Sequence, residues 1–317
     1  MKLHLTSAYP LHPGLDTLLQ ATANGTTGTH SVSPSASDSD AIVFIENTQF
    51  DDLLFKKLLN HEWVERFPEK CFMYNEMDRP WDVLPGLYTC MNKRHLRTPR
   101  HRAFAYLSTP NPLIRDVYRS EHQKQWLYSF MGAMSHHCRR SVMRLSDEHG
   151  YLRDTSDFNV WKSDECELQR RAEEYARVLG ESHFILCPRG IGTSSIRLYE
   201  TLEAGRVPVI ISDDWVPPEE TDWSFALRVE ERHISRIPKL LESLVNEAED
   251  RGHAARKAWL KHYAPDVLFD TLGDAIESLT SEGKGAMLQS PPIQWNKWVA
   301  SSGLAARTAV QKLRGQR

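Results

Sequence analysis

Apolar positions along this chain fall into two rhythms. Short continuous runs of apolar, β-branched and aromatic residues at Lys2–Thr6, Ala41–Glu46 and Lys70–Tyr74 predict strands. Between the last two, Asp51–Phe67 carries Leu53, Leu54, Leu58 and Val64 at helical spacing and predicts one helix. The interval Asn24–Asp40 is rich in Ser, Thr, Gly and Asp, too polar to bury much, and reads as a mobile loop. A second alternating series follows, with a strand from Trp126, a helix over Glu167–Leu179 and strands at His183–Cys187 and Val207–Ile211. Beyond Glu230 the spacing turns helical over Ile234–Ala248, Ala254–His262 and Asp270–Leu279, and Trp295–Leu313 predicts a last helix that packs back on the first domain. Strands alternating with helices predict an α/β protein with parallel sheets covered on their faces.

The segment from His183 to Asp213 carries the most chemistry. Pro188 closes a strand, Gly190 and Gly192 allow a tight turn, and Ser194 or Ser195 supplies a helix N-cap. The helix runs to Gly205, placed where a C-terminal glycine belongs, and a β-branched strand follows. Backbone N–H groups and the positive end of a helix then converge beyond the sheet's carboxyl edge, a geometry suited to phosphate. Arg189 in the turn and Arg197 in the first helical turn are candidate anion ligands, and Glu200 lies one turn on, where a carboxylate meets ribose hydroxyls. From residues alone an anion site and an exposed Arg197–Glu200 ion pair remain equal alternatives.

The 317 residues suit two α/β domains, with a boundary near the Pro110-Asn-Pro segment and the charged stretch to Lys124. A net charge of −3 removes any reason to expect a nucleic-acid partner, and Arg139-Arg140 and Lys93-Arg94 read as solvated surface charge. The five cysteines are odd in number and widely spaced, which speaks against a disulfide framework. His136-His137-Cys138 lacks a second ligand pair, so no metal is expected there. Met1–His12 does not have the form of a signal peptide, and no stretch approaches the roughly 20 apolar residues of a membrane span. A cytoplasmic setting is the expectation, with peripheral membrane contact left open.

Cys187-Pro-Arg-Gly190, Ser195-x-Arg-Leu-x-Glu200, Glu203-Ala-Gly205 and Val207-Pro-Val-Ile-Ile-Ser-Asp213 resemble the C-terminal motif series of exostosin-type glycosyltransferases. Asp222-Trp-Ser224 and Val229-Glu-Glu231 continue that series in order, while Val216-Pro-Pro-Glu-Glu220 and a short first domain without the extracellular cysteines of animal members depart from the family. The resemblance implies a GT-B fold of two facing Rossmann-like domains, residues 1–120 on the acceptor side and 121–317 on the donor side. It implies inverting, metal-independent transfer from a nucleotide-sugar, a UDP-sugar first, to a saccharide acceptor in glycan or polysaccharide synthesis, with no cofactor beyond the donor. Residue by residue, it makes Arg189 and Arg197 diphosphate contacts and Glu200 the ribose ligand. Gly190 and Ser195 fall beside the phosphates, and Ser212 and Asp213 beside the nucleotide or donor sugar.

An inverting transferase needs a proton acceptor near the attacking hydroxyl. Glu76 and Asp78, in Asn75-Glu-Met-Asp-Arg-Pro-Trp81 after a strand end, are candidate bases, although solvated loop acids near a proline turn are the favoured reading of both, and Glu46 is a weaker third. A metal-dependent GT-A enzyme is set aside because Asp38-Ser-Asp40 precedes its strand rather than following it. A fucosyltransferase-like GT-B enzyme and a non-catalytic nucleotide-sugar-binding module are the alternatives.

Overall fold

The computed structural model describes residues 1–9, 13–23, 28–47, 49, 51–52, 55–107, 111–145, 148–158 and 163–283. Two parallel sheets carry the chain. The first has six strands, β1 (Lys2–Thr6), β2 (Ser31–Val32), β3 (Ala41–Glu46), β4 (Cys71–Asn75), β5 (Gly86–Tyr88) and β6 (His101–Ala103). Their order is β2-β1-β3-β4-β5-β6, every pairing parallel. All six residues of β3 and all five of β4 are buried, as expected of strands covered on both faces.

The second sheet has five strands, β7 (Trp126–Gly132), β8 (Gly150–Asp154), β9 (Ser182–Pro188), β10 (Val207–Ile211) and β11 (Leu227–Arg228), in the order β11-β10-β9-β7-β8. Helix α1 (Pro13–Ala23), the short α2 (Lys56–Leu59) and α3 (Glu62–Arg66), and α4 (Ile114–Val117) belong to the first part of the chain. The second holds α5 (His137–Val142), α6 (Glu165–Gly180), α7 (Ile196–Glu203), α8 (Ile237–Leu244) and α9 (Ala248–His262). A last helix, α10 (Leu268–Gly283), returns to pack on α1, β5 and β6 of the first sheet. One apolar cluster consequently runs through both halves, from Leu3, Val43 and Tyr74 to Ile185, Leu202, Trp259 and Leu272.

The α/β reading holds, with two Rossmann-like sheets facing across a cleft as a GT-B fold requires. Strands β1, β3 and β10 have the bounds their apolar runs predict. Helix α7 starts after Ser195 and ends as expected of its glycine: Gly205 has φ +62, its N–H donates to Leu202, and Arg206 N–H donates to Thr201. That double closure satisfies the last helical carbonyls and needs a left-handed residue.

Two local expectations fail. Asp51–Phe67 is not one helix, because Asn60-His61 interrupts it and the His61 ring accepts the Trp63 N–H to start a new turn. The interval read as a mobile loop instead contributes β2, and His30 within it is buried. Its backbone N–H donates to Asp270 and its ring meets Asp274 at 2.9 Å, both on α10. Leu53, Leu54, Pro110 and the Trp295–Leu313 segment lie outside the described residues.

Candidate functional site

In each sheet the chain leaves its first strand in one direction and later returns on the other side. The strand order therefore reverses between β1 and β3 in the first sheet, and between β7 and β9 in the second. Such switch points leave a crevice outside the carboxyl ends of the strands, where ligands bind in open α/β sheets. A cavity of about 640 Å³ opens at the second of them. It is lined by Met131 and Gly132 at the end of β7 and Ser135 beyond it, by Gly190 and Ile191 after β9, and by Ser194–Arg197 and Glu200 at the start of α7. Asn47, Glu76, Asp78 and Tyr106 of the first domain close its opposite side. The volume falls within the range of about 300–1,000 Å³ usual for small-molecule sites.

The wall on the second domain is cationic. Arg197 lies with its guanidinium 4.7 Å from the centre of the Phe130 ring and 5.9 Å from that of Tyr175. Its Nη2 donates to the Met131 carbonyl, while Nε and Nη1 are buried with no hydrogen-bond partner among the described residues. Arg139, on α5, donates from Nε to the Arg189 carbonyl at 3.0 Å and from Nη1 to the Ala133 carbonyl at 2.9 Å. Burial, and then the positive charge of Arg197, lowers Arg139 to about 10. Two guanidiniums near enough to repel each other, with donors of Arg197 left over, form a positive wall suited to anionic oxygens.

Glu200 sits beside them, nearly buried, and its Oε2 takes the Tyr175 hydroxyl at 2.8 Å. Burial raises its carboxyl above the ordinary range, opposed by the Tyr175 hydroxyl and by Arg197. The Arg197–Glu200 pair therefore points inward and is not an exposed helical ion pair. Opposite stand two acids of the first domain. Glu76 Oε1 takes the Tyr74 hydroxyl at 2.5 Å and the Leu107 N–H at 2.8 Å. Asp78 keeps open contact with the cavity, yet the surrounding protein raises its carboxyl above the ordinary range. The Gly192 N–H and then Arg139 oppose that rise.

Of the residues singled out from the sequence, Glu76, Asp78, Gly190, Ser195, Arg197 and Glu200 meet at this cavity. Arg189, Ser212 and Asp213 do not line it. The Arg189 guanidinium turns away to Asp214 at 3.2 Å and Glu231 at 3.9 Å. Ser212 donates its hydroxyl to the Thr193 carbonyl, and Asp213 and Glu231 each donate a backbone N–H to the other's carboxylate. These three brace the turn rather than face the crevice. Glu46 is fully buried at the other switch point, where it takes the Ala8 N–H at 2.6 Å and the Ser7 hydroxyl at 3.1 Å.

Arg139 is the correction to the reading of Arg139-Arg140 as surface charge, and Tyr175 was not singled out at all. Arg139 follows the carboxyl end of β7 as Arg197 follows that of β9, so pairing the two strands in space reveals it. Among the described residues, His136, His137 and Glu231 form one group with metal-ligand spacing, and His30, Asp274 and Glu277 another. Neither lines the cavity.

The exostosin GT47 domain, as a family model, matches residues 60–244, more than half of the chain. The Exostosin-1 homolog of Caenorhabditis elegans is 37% identical over 152 residues, covering 41% of this chain and 38% of that protein. Bovine Exostosin-1 (Bos taurus) is 28% identical over 187 residues, covering 55% of this chain and 24% of its own. The chain thus spans well under half the length of these curated relatives. The crystal structure of TarM superimposes with a TM-score of 0.40 at 11% identity over 75% of this chain and 55% of that one, too distant a likeness to bear on function. With the motif series of α7 and β10 inside the matched span, the chain belongs to the exostosin GT47 domain family.

Proposed function

We propose that this chain is an inverting, metal-independent glycosyltransferase that moves a sugar from a UDP-sugar to a saccharide hydroxyl. The observation that carries the reading is the pair Arg139 and Arg197, turned into one cavity beside Glu200 and facing carboxylates of the other domain. Family membership supports the reaction class and, with it, a nucleotide-sugar donor. The donor diphosphate takes the guanidiniums and the Ser194–Ser195 end of α7, and the ribose hydroxyls take Glu200, oriented by Tyr175.

In the transfer step an acceptor oxygen attacks the anomeric carbon from the face opposite the diphosphate. The bond from that carbon to the phosphate oxygen breaks, and its electron pair leaves with the nucleoside diphosphate. Arg139 and Arg197 stabilise the charge that develops there, as a divalent cation does in metal-dependent transferases. The acceptor proton passes to a carboxylate. Asp78 suits that role better than Glu76, because two donors already hold Glu76 Oε1, whereas Asp78 is open to the cavity and the surrounding protein raises its carboxyl above the ordinary range.

Calorimetric titration with UDP and with GDP, each with and without Mg²⁺, tests this on the wild type and on Glu200→Ala. The expected result is UDP binding that Mg²⁺ leaves unchanged and that Glu200→Ala weakens by roughly tenfold, the loss of one charged hydrogen-bond partner. Preference for GDP reassigns the base, and absence of binding by either nucleotide removes the donor site.

A further inference from the structure

At Gly192, the glycine turn that would cradle a diphosphate is already in contact with the first domain. The opposite domain reaches into it. We infer that Asp78 stands in for the donor diphosphate, its carboxylate occupying the anion cradle at Gly192 beside Arg139 until the donor displaces it. The inference rests on the donor site described under the proposed function and adds to it a competitor built into the chain.

Several contacts point the same way. The Asp78 carboxylate lies against the backbone of Gly192. The approach is so close that a Cβ on Gly192 would come within 2.8 Å of Asp78 Oδ1 and 2.5 Å of Cys90 Sγ, which leaves glycine the only residue that fits without displacing the neighbouring domain. Cys90 Sγ lies against the same turn, and its other neighbour is the Tyr106 hydroxyl at 3.1 Å. Two side chains of the first domain thus press on the one turn. Arg139 attracts the Asp78 carboxylate as it would a phosphate oxygen, both being anionic oxygens in reach of a half-buried guanidinium.

The geometry has a consequence for order. A carboxylate held on Gly192 is unavailable to an acceptor hydroxyl. A diphosphate that takes the Gly192 N–H and Arg139 returns Asp78 to the cavity as an unengaged base, on the side from which an acceptor enters. Donor binding thus releases the group that the acceptor needs, and an acceptor arriving first meets no free carboxylate there.

The test is a set of calorimetric titrations of the full chain, wild type, Asp78→Asn and Asp78→Ala, with UDP, inorganic pyrophosphate and uridine. Asp78 is exposed and its substitution leaves the core intact, and a melting curve for each variant establishes that it is folded. Removing the competing charge should tighten UDP and pyrophosphate about tenfold in both variants, the factor that corresponds to one charge-assisted hydrogen bond, and leave uridine unchanged. UDP that binds the wild type and binds both variants equally or more weakly overturns the inference while the donor site stands. Tighter uridine as well as tighter UDP also overturns it, since the gain would not belong to the phosphates. If neither UDP nor pyrophosphate binds any of the three proteins, the donor site and the inference fall together.

Discussion

The two sheets share one topology and use it oppositely. In the first, the switch point between β1 and β3 is filled by the chain itself. Glu46 lies there fully buried, its carboxyl taking the Ala8 N–H and the Ser7 hydroxyl, and burial pushes it up to about 7. In the second, the switch point between β7 and β9 carries two guanidiniums and a cavity of about 640 Å³. A crevice of the same origin is thus closed by an acid in one domain and left open, with donors to spare, in the other. Topology makes both crevices, and the charge placed in each decides which one receives a ligand. The first domain then turns a different strand end, that of β4, toward the open one, through Glu76 and Asp78.

The sharpest way to break this comparison is to remove the cations. Arg139→Ala with Arg197→Ala should abolish UDP binding, a loss of between about 3 and 6 kcal/mol if each charged contact contributes the usual amount. Each single substitution should cost roughly half of that, with some coupling because the two guanidiniums lie side by side. Calorimetry reads the loss directly. A double variant that binds UDP as the wild type does would mean that the open switch point is no anion site and that the two crevices differ only in shape.

The closed crevice makes a prediction of the opposite kind, about stability and not about ligand. A carboxyl raised from an ordinary 4.5 to about 7 holds its proton longer in the folded chain than in the unfolded one. Its contribution is complete below about 4.5 and is lost as pH rises through about 7. At about 1.4 kcal/mol per pH unit that gap amounts to about 3 kcal/mol. Glu46→Gln, which stays neutral, should therefore gain on the wild type as pH rises from 5 to 8, read as a widening difference in Tm or urea midpoint. A difference that stays flat across that range would show that the Glu46 carboxyl is ionised without penalty, and the crevice would be polar and wet.

Much of this was legible locally. The strands Ala41–Glu46 and Val207–Ile211 are continuous β-branched runs with a single reading, and Gly205 marks a helix end that few other residues can make. The turn from Gly190 to Ser195 and the helix start after it were likewise recognisable from residue types in order. What remained hidden depends on contacts between distant segments. His30 lies in a polar stretch and is held by Asp270 and Asp274, some 240 positions away. Arg139 looks like one of a surface pair until β7 is set beside β9, and Tyr175 acquires a role only because α6 brings it to Glu200. Spacing along the chain finds residues that act from one helix. It does not find those that a sheet brings together side by side.

Arg189 is where the linear motif and the folded geometry disagree, and it yields the smallest expected effect. In the motif it is the natural phosphate ligand, next to the glycines. In the structure its guanidinium pairs with Asp214 and lies near Glu231, and only its carbonyl serves the cavity, by fixing Arg139. The substitution Arg189→Ala removes the side chain and keeps that carbonyl. UDP affinity should therefore change by less than about threefold, while stability falls by about 1 kcal/mol as a partly exposed ion pair is lost. Arg189 Nη2 is also 3.4 Å from the Ile191 carbonyl, and Ile191 lines the cavity, so a swing toward bound phosphate is within reach of the side chain. A loss of tenfold or more in UDP affinity would mean that this swing occurs on binding. The open crevice would then hold three cations rather than two, and Asp214 and Glu231 would be the groups that park the third while the site is empty.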